Sequence, residues 1–488
     1  MILVTLLIIL AAGGLAAALT ARWSTVLCRS IALSATLADF ALTMYLWLGR
    51  PPSSAQIDVP WIPAFGIHFH LAADGLTILM LLVAFFMGSL AITASWTETF
   101  QSAGFFHLNL LWMLAGIASI FMAMDLFLFY FAWEVMLVPL YFLIAVWGSE
   151  NRAGAAVKFF IFTQLSGLFM LVAILSLYFL HHRDTGVYTF SYAGLLGTPL
   201  PQSAEFWIML GFFAAFAVKL PAIPVHTWLP DAQAQAPIGA NLTGLLLEMG
   251  AYGFLRFVLP LFPRAAHTVA PAAMVLGVIG ILYGAKLAFA QSDFKRLLAY
   301  VSVSHLGFVL LGIFAWNELA LQGAVVTMVC QPISTGGLFV VARALERRTH
   351  TRELLNMGGL WSTAPRLGGF GLFFALASLG LPGLGDFIGE FLVLLGTWQR
   401  SIPLAAVAAV GFVASTIYAV RLVQAAFHGP NLHDWHFRDI VPREAAIVGV
   451  MAATLLWLGL YPQPIIATFQ SVAGHVSSLP TRGPNVPH

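Results

Sequence analysis

The chain has 488 residues, of which 60% are hydrophobic and 9% are charged, whereas a soluble domain carries about 25% charged residues. Because a water-soluble surface cannot be built from so few charges, a soluble enzyme, a nucleic-acid-binding domain and a disordered scaffold are excluded. The net charge of +2 indicates no particular partner. Cys28 and Cys330 lie far apart in apolar stretches, which predicts two free thiols rather than a disulfide framework or a metal site.

Apolar stretches of about 20 residues, the length that crosses a bilayer, recur along the whole chain. Fourteen are found, at residues 2–21, 30–48, 75–95, 105–123, 126–147, 157–180, 206–225, 240–261, 269–290, 297–315, 319–342, 368–397, 403–426 and 446–469. The breaks between them are too short for a second domain. The sequence therefore predicts an all-α polytopic membrane protein, with one integral-membrane domain over 1–488. Within it we distinguish N-terminal spans in 1–73, a core in 74–426, and the last span and tail in 427–488.

Lysine and arginine are distributed unevenly between the loops on the two sides of these spans. The odd-numbered loops hold 14 of the 22, and Lys219 and Lys286 fall inside spans. The even-numbered loops and the tail hold the other six, which are Arg50, Arg183, Arg256, Arg264, Arg400 and Arg482. Since positively charged loops stay on the cytoplasmic side, both termini are expected on the periplasmic side of a bacterial inner membrane.

Spans seven and twelve are both interrupted by proline, at matching places. The segments FFAAFAVKLPAIP (212–224) and FFALASLGLPGLG (373–385) align without a gap at an offset of 161 residues. A unit of five spans is odd, so its second copy enters the membrane from the opposite side, which predicts two inverted five-helix repeats. Backbone carbonyls freed by the prolines must be buried in protein or line a hydrated cavity. Inert proline kinks are the alternative interpretation.

Charged side chains at mid-membrane cost about 2.5–3.5 kcal/mol each on insertion scales, so few are placed there without a partner or a task. Glu134 in span five and Lys219 in span seven predict an ion pair, which could move protons or merely clamp two helices. Glu248 lies inside span eight. Glu390 follows the break in span twelve, and Asp386 lies one turn earlier on the same helix face. Either carboxylate could be a proton-relay group or a hydrated cap.

His226, His305 and His350 lie in or beside charged stretches of the chain, and an intramembrane histidine ordinarily titrates near neutrality and can pass protons. Asp39, in span two, lies outside both repeats and is interpreted as a polar contact to a neighbouring helix. Lys286, near a span end, is expected to extend its ammonium towards the membrane surface. The chain shows no ligand set for an organic cofactor. Its residues predict a proton or cation translocator, or an antiporter-like module.

Several of these segments resemble the antiporter-like membrane subunits of respiratory complex I, the NADH:quinone oxidoreductase. The segments are FAWEVMLVPLYFLI (131–144), KFFIFTQLSGLFML (158–171), FAVKLPAIPVHTWLPDA (216–232), FAQSDFKRLLAYVSVSHLGFVLLG (289–312) and LPGLGDFIGEFLVLLG (381–396). The likeness runs from about Asp74 to Tyr461. The first and last segments are similar to the M-type, or chain 4, branch of the family in particular.

The resemblance implies a role for each candidate residue. Glu134 and Lys219 would be the ion pair of the first half-channel, Glu390 the exit group to the periplasm, and His226 and His305 part of a hydrated axis. It also implies that this chain holds no redox cofactor, so that NAD, FMN, iron–sulfur clusters and quinone belong to partner subunits. L-, N- and K-type membrane-arm subunits are the expected neighbours. Electron transfer from NADH to quinone would drive the proton translocation.

The chain departs from the family pattern near the centre of the membrane. The family lysine of LLKxGAYG is Glu248, the His-Gly of span eleven is Gln331-Pro332, and the histidine of PDAHxxAP is Gln233. The stretch between Pro237 and Glu248 is also about two residues shorter than usual in the family. Because a carboxylate still carries a proton, both a rewired proton path and a subunit that has lost pumping remain open.

Three other functions stay open at this point. The chain could serve a related membrane arm with another electron input, such as a hydrogenase or a formate-linked complex. It could be a subunit of a multi-subunit sodium/proton antiporter, which has no redox partner. It could also be a scaffold that only fills the membrane arm.

Overall fold

A computed structural model describes residues 1–49, 55–98, 101–243, 245–431 and 433–477. Its α-helices, in chain order, are α1 (Ile2–Thr20), α2 (Thr25–Leu48), α3 (Gly75–Ala94), α4 (Ala103–Met122), α5 (Leu126–Trp147), α6 (Arg152–Thr185), α7 (Tyr192–Leu195), α8 (Gln202–Lys219), α9 (Trp228–Gln235), α10 (Ile238–Leu242), α11 (Leu245–Gly253), α12 (Leu259–Leu261), α13 (Pro263–Ala290), α14 (Phe294–Phe314), α15 (Glu318–Thr349), α16 (Leu360–Thr363), α17 (Pro365–Ser378), α18 (Gly385–Arg400), α19 (Ile402–Phe427), α20 (Pro442–Leu460) and α21 (Gln463–Ser477). Two strands, β1 (Ala55–Ile62) and β2 (Ile67–Ala73), lie between α2 and α3.

The predicted membrane spans coincide with helices. In the described part of the chain, twelve helical runs are long and apolar enough to cross a membrane. The two remaining predicted spans, seven and twelve, are the interrupted ones, formed by α8 with α9 and by α17 with α18. The all-α polytopic fold with broken helices seven and twelve is therefore confirmed.

The two breaks occur where the prolines predict them. Helix α8 ends at Lys219 and α9 begins at Trp228, so the prolines of the first motif lie in the connection. Proline removes a backbone donor and its ring clashes with the preceding helical turn. The second connection also holds Gly380 and Gly383, whose φ angles of 78° and 95° suit glycine but strain other residues.

Span eight is also divided, which the sequence did not predict. The helices α10 and α11 and the short α12 share this span, and a π-helical turn, Phe254–Val258, separates α11 from α12. Such turns are rare and occur frequently at functional sites. The turn contains Arg256, which is buried, so this arginine does not belong to a loop as the charge count assumed. Of the other five counted with it, Arg50 and Arg482 lie outside the described residues.

The strands β1 and β2 form an antiparallel hairpin that the sequence analysis did not predict. It is joined to two other loops, since the amide of His68 donates to Asp125 Oδ2 at 3.1 Å and the amide of Phe190 donates to Gly66 O at 3.4 Å. These contacts bring together the second, fourth and sixth loops. Their meeting on one face agrees with the alternating direction of the spans.

Ion pairs connect the odd-numbered loops and helix ends on the opposite face. We refer to these pairs as the ion-pair belt. Its pairs are Lys158–Asp231 at 2.6 Å, Arg296–Asp231 at 3.0 Å, Lys295–Glu346 at 2.9 Å, Arg343–Glu98 at 2.7 Å and Arg348–Glu444 at 2.7 Å. The belt accounts for much of the lysine and arginine surplus on this face, because these side chains hold adjacent helix ends together.

Candidate functional site

The first break places a lysine among aromatic rings. Lys219 is the last residue of α8 and its side chain is 0% exposed. Its Nζ lies 5.2 Å from the centre of the Trp133 ring and 5.5 Å from that of Phe159. The Nζ has no hydrogen-bond partner among the described residues. Attraction to the negative ring faces thus contributes to holding a charged Lys219 there.

Glu134 lies near this lysine without pairing with it directly. Its carboxylate packs against Gly167 of α6, where a larger residue would collide with Oε1, and it hydrogen-bonds Gln164. No salt bridge joins it to Lys219, since the lysine Nζ is without a polar partner. The two charges still interact at longer range. The expected direct ion pair is therefore not formed in the structure, because the carboxylate faces α6 while the ammonium faces the aromatic rings.

His226 lies in the connection between α8 and α9 and is nearly fully buried. Its ring approaches Tyr283 of α13 at 6.0 Å and Tyr300 of α14 at 6.3 Å between ring centres. Its Nδ1 has no partner among the described residues. The imidazole thus lies between the first break and the helices of the second repeat, as expected for a group on a path between them.

Glu248, at the position of the family lysine, is completely buried in α11. Neither carboxylate oxygen has a hydrogen-bond partner in the described part of the chain. Close contact holds α11 on α8, because a Cβ at Gly250 would come within 2.6 Å of both Leu220 N and Phe216 O. An ionised carboxylate there would be both unpaired and dry, which is strongly unfavourable. The site is thus suited to a carboxyl group that carries a proton.

The second break brings His305 and Glu390 together, a contact that the sequence did not predict. Glu390 Oε1 lies 2.5 Å from His305 Nδ1, and both side chains are almost completely buried. The other ring nitrogen, Nε2, lies 3.1 Å from Ser378 Oγ and 3.5 Å from the Tyr418 hydroxyl. Sequence analysis did not identify Ser378 or Tyr418, and their residue types alone gave no signal. A carboxylate, an imidazole and two hydroxyls in contact form a chain along which a proton can move.

A third polar group, on the hairpin face, was also missed. Arg256 Nη2 donates to Asp74 Oδ1 at 2.6 Å, and its Nε donates to the Tyr252 hydroxyl at 3.1 Å. That hydroxyl donates to Phe121 O at 2.6 Å. Burial alone would raise the pKa of Asp74, but the Arg256 guanidinium and the Thr77 amide hold this pKa below its ordinary value. The sequence signal that could have revealed this buried pair was Arg256 itself, which lies within the predicted span 240–261 although the charge count assigned it to a loop.

Other predicted polar groups lie apart from the breaks. Asp39 is completely buried in α2, but its oxygens have no partner among the described residues, so the expected polar contact to a neighbouring helix is not formed. Lys286 is exposed on α13. Cys28 and Cys330 are both buried and free. Among the residues that the structure describes, no cluster of histidine, cysteine and acidic side chains could hold a metal ion.

Known proteins provide independent comparisons. Residues 123–417 match the family described as NADH:quinone oxidoreductase/Mrp antiporter, TM. The chain is 48% identical to the NADH-quinone oxidoreductase subunit M of Pseudomonas aeruginosa, covering 96% of this chain and 95% of that protein. It is 46% identical to the subunit M of Escherichia coli K12, covering 98% and 97%. A chain of the Thermus thermophilus respiratory complex I with bound NADH superposes with a TM-score of 0.89 at 32% identity, covering 98% and 100%.

The family model covers more than half of the chain, and the named relatives match it over nearly its whole length. The expected resemblance to the antiporter-like subunits of complex I is thereby confirmed. Both broken helices, with the buried titratable side chains beside each break, lie inside the matched region 123–417. This chain belongs to the family of NADH:quinone oxidoreductase and Mrp antiporter transmembrane subunits.

Proposed function

We propose that this chain is the M-type, proton-translocating subunit in the membrane arm of an NADH:quinone oxidoreductase. The observation that carries the proposal is the pair of broken helices, each with a buried titratable group beside the break: Lys219 at the first, and Glu390 with His305 at the second. Whole-length similarity to proteins named subunit M supports the same assignment. The chain would translocate protons while NADH, FMN, iron–sulfur clusters and quinone react in partner subunits.

The residues divide into an entry half and an exit half. Glu134 and Lys219 form the entry half, where a change in their separation would shift a proton between them. His226 passes the proton towards the second repeat. Glu248 acts as the central carrier in place of the family lysine, and Glu390 with His305 forms the exit. A carboxyl group exchanges a proton between neutral and negative forms, whereas a lysine exchanges it between positive and neutral forms.

The arrangement in the membrane follows from the same proposal. L-, N- and K-type subunits would be the neighbours in the membrane arm, and the bacterial inner membrane would be the location. The ion-pair belt would face the cytoplasm, and the hairpin face would face the periplasm together with both termini. The core at 74–426 would hold the proton path, with the spans in 1–73 and the last span packed beside it.

The test replaces Lys219 with alanine in the intact enzyme. NADH-driven proton uptake by inverted membrane vesicles should fall about tenfold or more, because proton transfer by a positioned side chain contributes at least that much. Lys286→Ala, which removes an exposed lysine of α13, is the matched control and should pump normally. Unchanged proton uptake in Lys219→Ala, with the subunit assembled, would refute the role of this residue.

A sodium/proton antiporter subunit is the second candidate, because the family description joins the two kinds of protein. Sodium-driven proton movement in vesicles that receive no electron donor would favour it.

Gentle purification of the tagged chain tests the remaining candidate, a related membrane arm with another electron input. Recovery of NADH-oxidising flavin and iron–sulfur subunits supports the proposal, and recovery of a hydrogenase or a formate-linked module contradicts it.

A further inference from the structure

A second buried carboxyl group lies beside Glu390. Asp386 is in the first turn of α18 and is completely buried. Its Oδ1 accepts a hydrogen bond from Ser334 Oγ at 3.1 Å, whereas its Oδ2 has no partner in the described part of the chain. Its charge interacts with those of His305 and Glu390. The sequence placed Asp386 on the face of Glu390, as a proton-relay group or a hydrated cap.

Polar groups of α15 and α14 lie beside Asp386. The Ser334 hydroxyl, whose single proton serves one acceptor at a time, is also 3.1 Å from the backbone carbonyl of Gln331. The Gln331 amide donates to Ser302 Oγ of α14 at 3.3 Å and to Thr335 Oγ1 at 3.1 Å. Ser302 lies one turn before His305, which contacts Glu390, so α14, α15 and α18 bring their polar groups together in what we call the polar cluster.

Gln331 cannot hold an extra proton, because an amide does not titrate near neutral pH. The groups of the polar cluster that can exchange a proton are therefore His305, Asp386 and Glu390. Cys330, beside Gly385, and Tyr418, beside Ser378, also face the cluster, but thiols and phenols ordinarily titrate at higher pH than carboxyl groups and imidazoles. A proton that enters the cluster must be received by one of the three.

The charge of these three groups fixes how many protons they hold. With no proton bound, two carboxylates and a neutral imidazole carry a charge of −2, so the neutral state holds two protons. With asparagine at position 386, the corresponding charge would be −1 and the neutral state would hold one. Since net charge is strongly unfavourable at membrane depth, the neutral state is the resting one.

From this geometry we propose that Asp386 is a further proton-holding residue, which makes the exit group a two-proton site with His305 and Glu390. The inference rests on the proposed function, since it assumes that Glu390 and His305 lie on the proton path.

The test compares Asp386→Asn with Asp386→Glu in the intact enzyme. Asparagine has nearly the same shape and still accepts the Ser334 hydrogen bond, so a structural role would survive, whereas the proton would not be held. We expect NADH-driven proton uptake to fall about tenfold or more in Asp386→Asn and to recover largely in Asp386→Glu. Asp58→Asn on the exposed hairpin is the matched control and should pump normally.

Two further variants separate the possible outcomes. Ser334→Ala removes the hydrogen bond to Asp386 Oδ1, which changes how readily that carboxyl group takes up and releases its proton, and should also slow proton uptake while the subunit assembles. This variant keeps the test valid if Asp386→Asn does not assemble. If Glu390→Gln is impaired, normal proton uptake in Asp386→Asn refutes the role of Asp386. If Asp386→Asn does not assemble and Ser334→Ala does, normal proton uptake in Ser334→Ala refutes that role instead. Normal uptake in Glu390→Gln and Lys219→Ala as well would refute the proposed function itself.

Discussion

At the scale of single residues, the structure separates two groups that their charges alone would pair. Glu134 and Lys219 have opposite charges, but a sequence does not show which groups lie within contact distance of each other. The positions of α6 and of the rings of Trp133 and Phe159 decide the actual contacts, and these follow from packing of helices far apart in the chain. The residue types were therefore predictable and the direct contact was not.

The buried pair of Asp74 and Arg256 leads to a prediction about stability. Asp74→Asn leaves the guanidinium without its counter-charge, and breaking a buried pair from one side costs about 3–5 kcal/mol. The fraction of subunit that stays assembled after heating the purified complex should fall. Asp184→Asn, at an exposed pair with Arg183, is the control and should change nothing measurable.

The same pair predicts the direction of an acid effect. Because the pKa of Asp74 is lowered in the folded protein, its contribution to stability is present above its ordinary pKa of about 4 and is lost as pH falls through the lowered value. The difference in heat resistance between wild type and Asp74→Asn should therefore shrink below about pH 4. A difference that stays constant down to strongly acid pH would contradict this assignment.

At the scale of elements, glycines determine how closely α15 and α18 approach. A Cβ at Gly323 of α15 would come within 2.7 Å of Gly389 O, and a Cβ at Gly389 within 2.7 Å of Thr327 N. Small residues at such contacts let membrane helices pack backbone to backbone. The acids Asp386 and Glu390 adjoin this contact, so their positions relative to α15 are held tightly.

Gly389→Ala should therefore destabilise the subunit. Added carbon in a tight contact costs about 1–3 kcal/mol. Here it would meet the Thr327 hydroxyl as well as backbone atoms of Thr327 and Gly323, and the backbone cannot turn aside. Gly449→Ala in α20, where a Cβ would meet nothing within 4 Å, is the matched control. The fraction of subunit that stays assembled after heating measures the effect of each substitution. Equal behaviour of the two variants would show that α15 and α18 separate more easily than the structure indicates.

The elements also show which features a sequence reveals. Hydropathy and the prolines predicted every span and both breaks, since these depend on local composition. The β-hairpin was missed because its strands are stabilised by Asp125 and by the loop after α6, which are remote in sequence. Asp386 was placed on the correct helix face, but its hydrogen bond to Ser334 depends on how α15 packs on α18.

At the scale of the whole molecule, the two membrane faces differ in chemistry. The ion-pair belt occupies one face, and the hairpin with its neighbouring loops occupies the other. Side chains on the outside of α6, such as Ile161, Leu165 and Phe169, are exposed and apolar, as expected for contact with lipid or a sister subunit.

The orientation of these faces can be tested with cysteine labelling. Val187→Cys lies on the hairpin face and Glu150→Cys on the belt side, and both positions are exposed. A membrane-impermeant maleimide added to intact spheroplasts should label Val187→Cys and leave Glu150→Cys unlabelled, and inverted vesicles should show the reverse. The native thiols are buried and provide a low background. The opposite pattern would place both termini in the cytoplasm.

The aromatic surroundings of Lys219 have a consequence for how the site responds to voltage. Moving one charge across the whole membrane at 100 mV takes about 2.3 kcal/mol, so a short movement of the lysine side chain draws on only a fraction of this energy. Attraction to aromatic rings is worth about 2 kcal/mol or more for a desolvated cation and exceeds that fraction. The rings of Trp133 and Phe159 therefore hold a charged Lys219 in place against the membrane potential, and voltage alone does not release it.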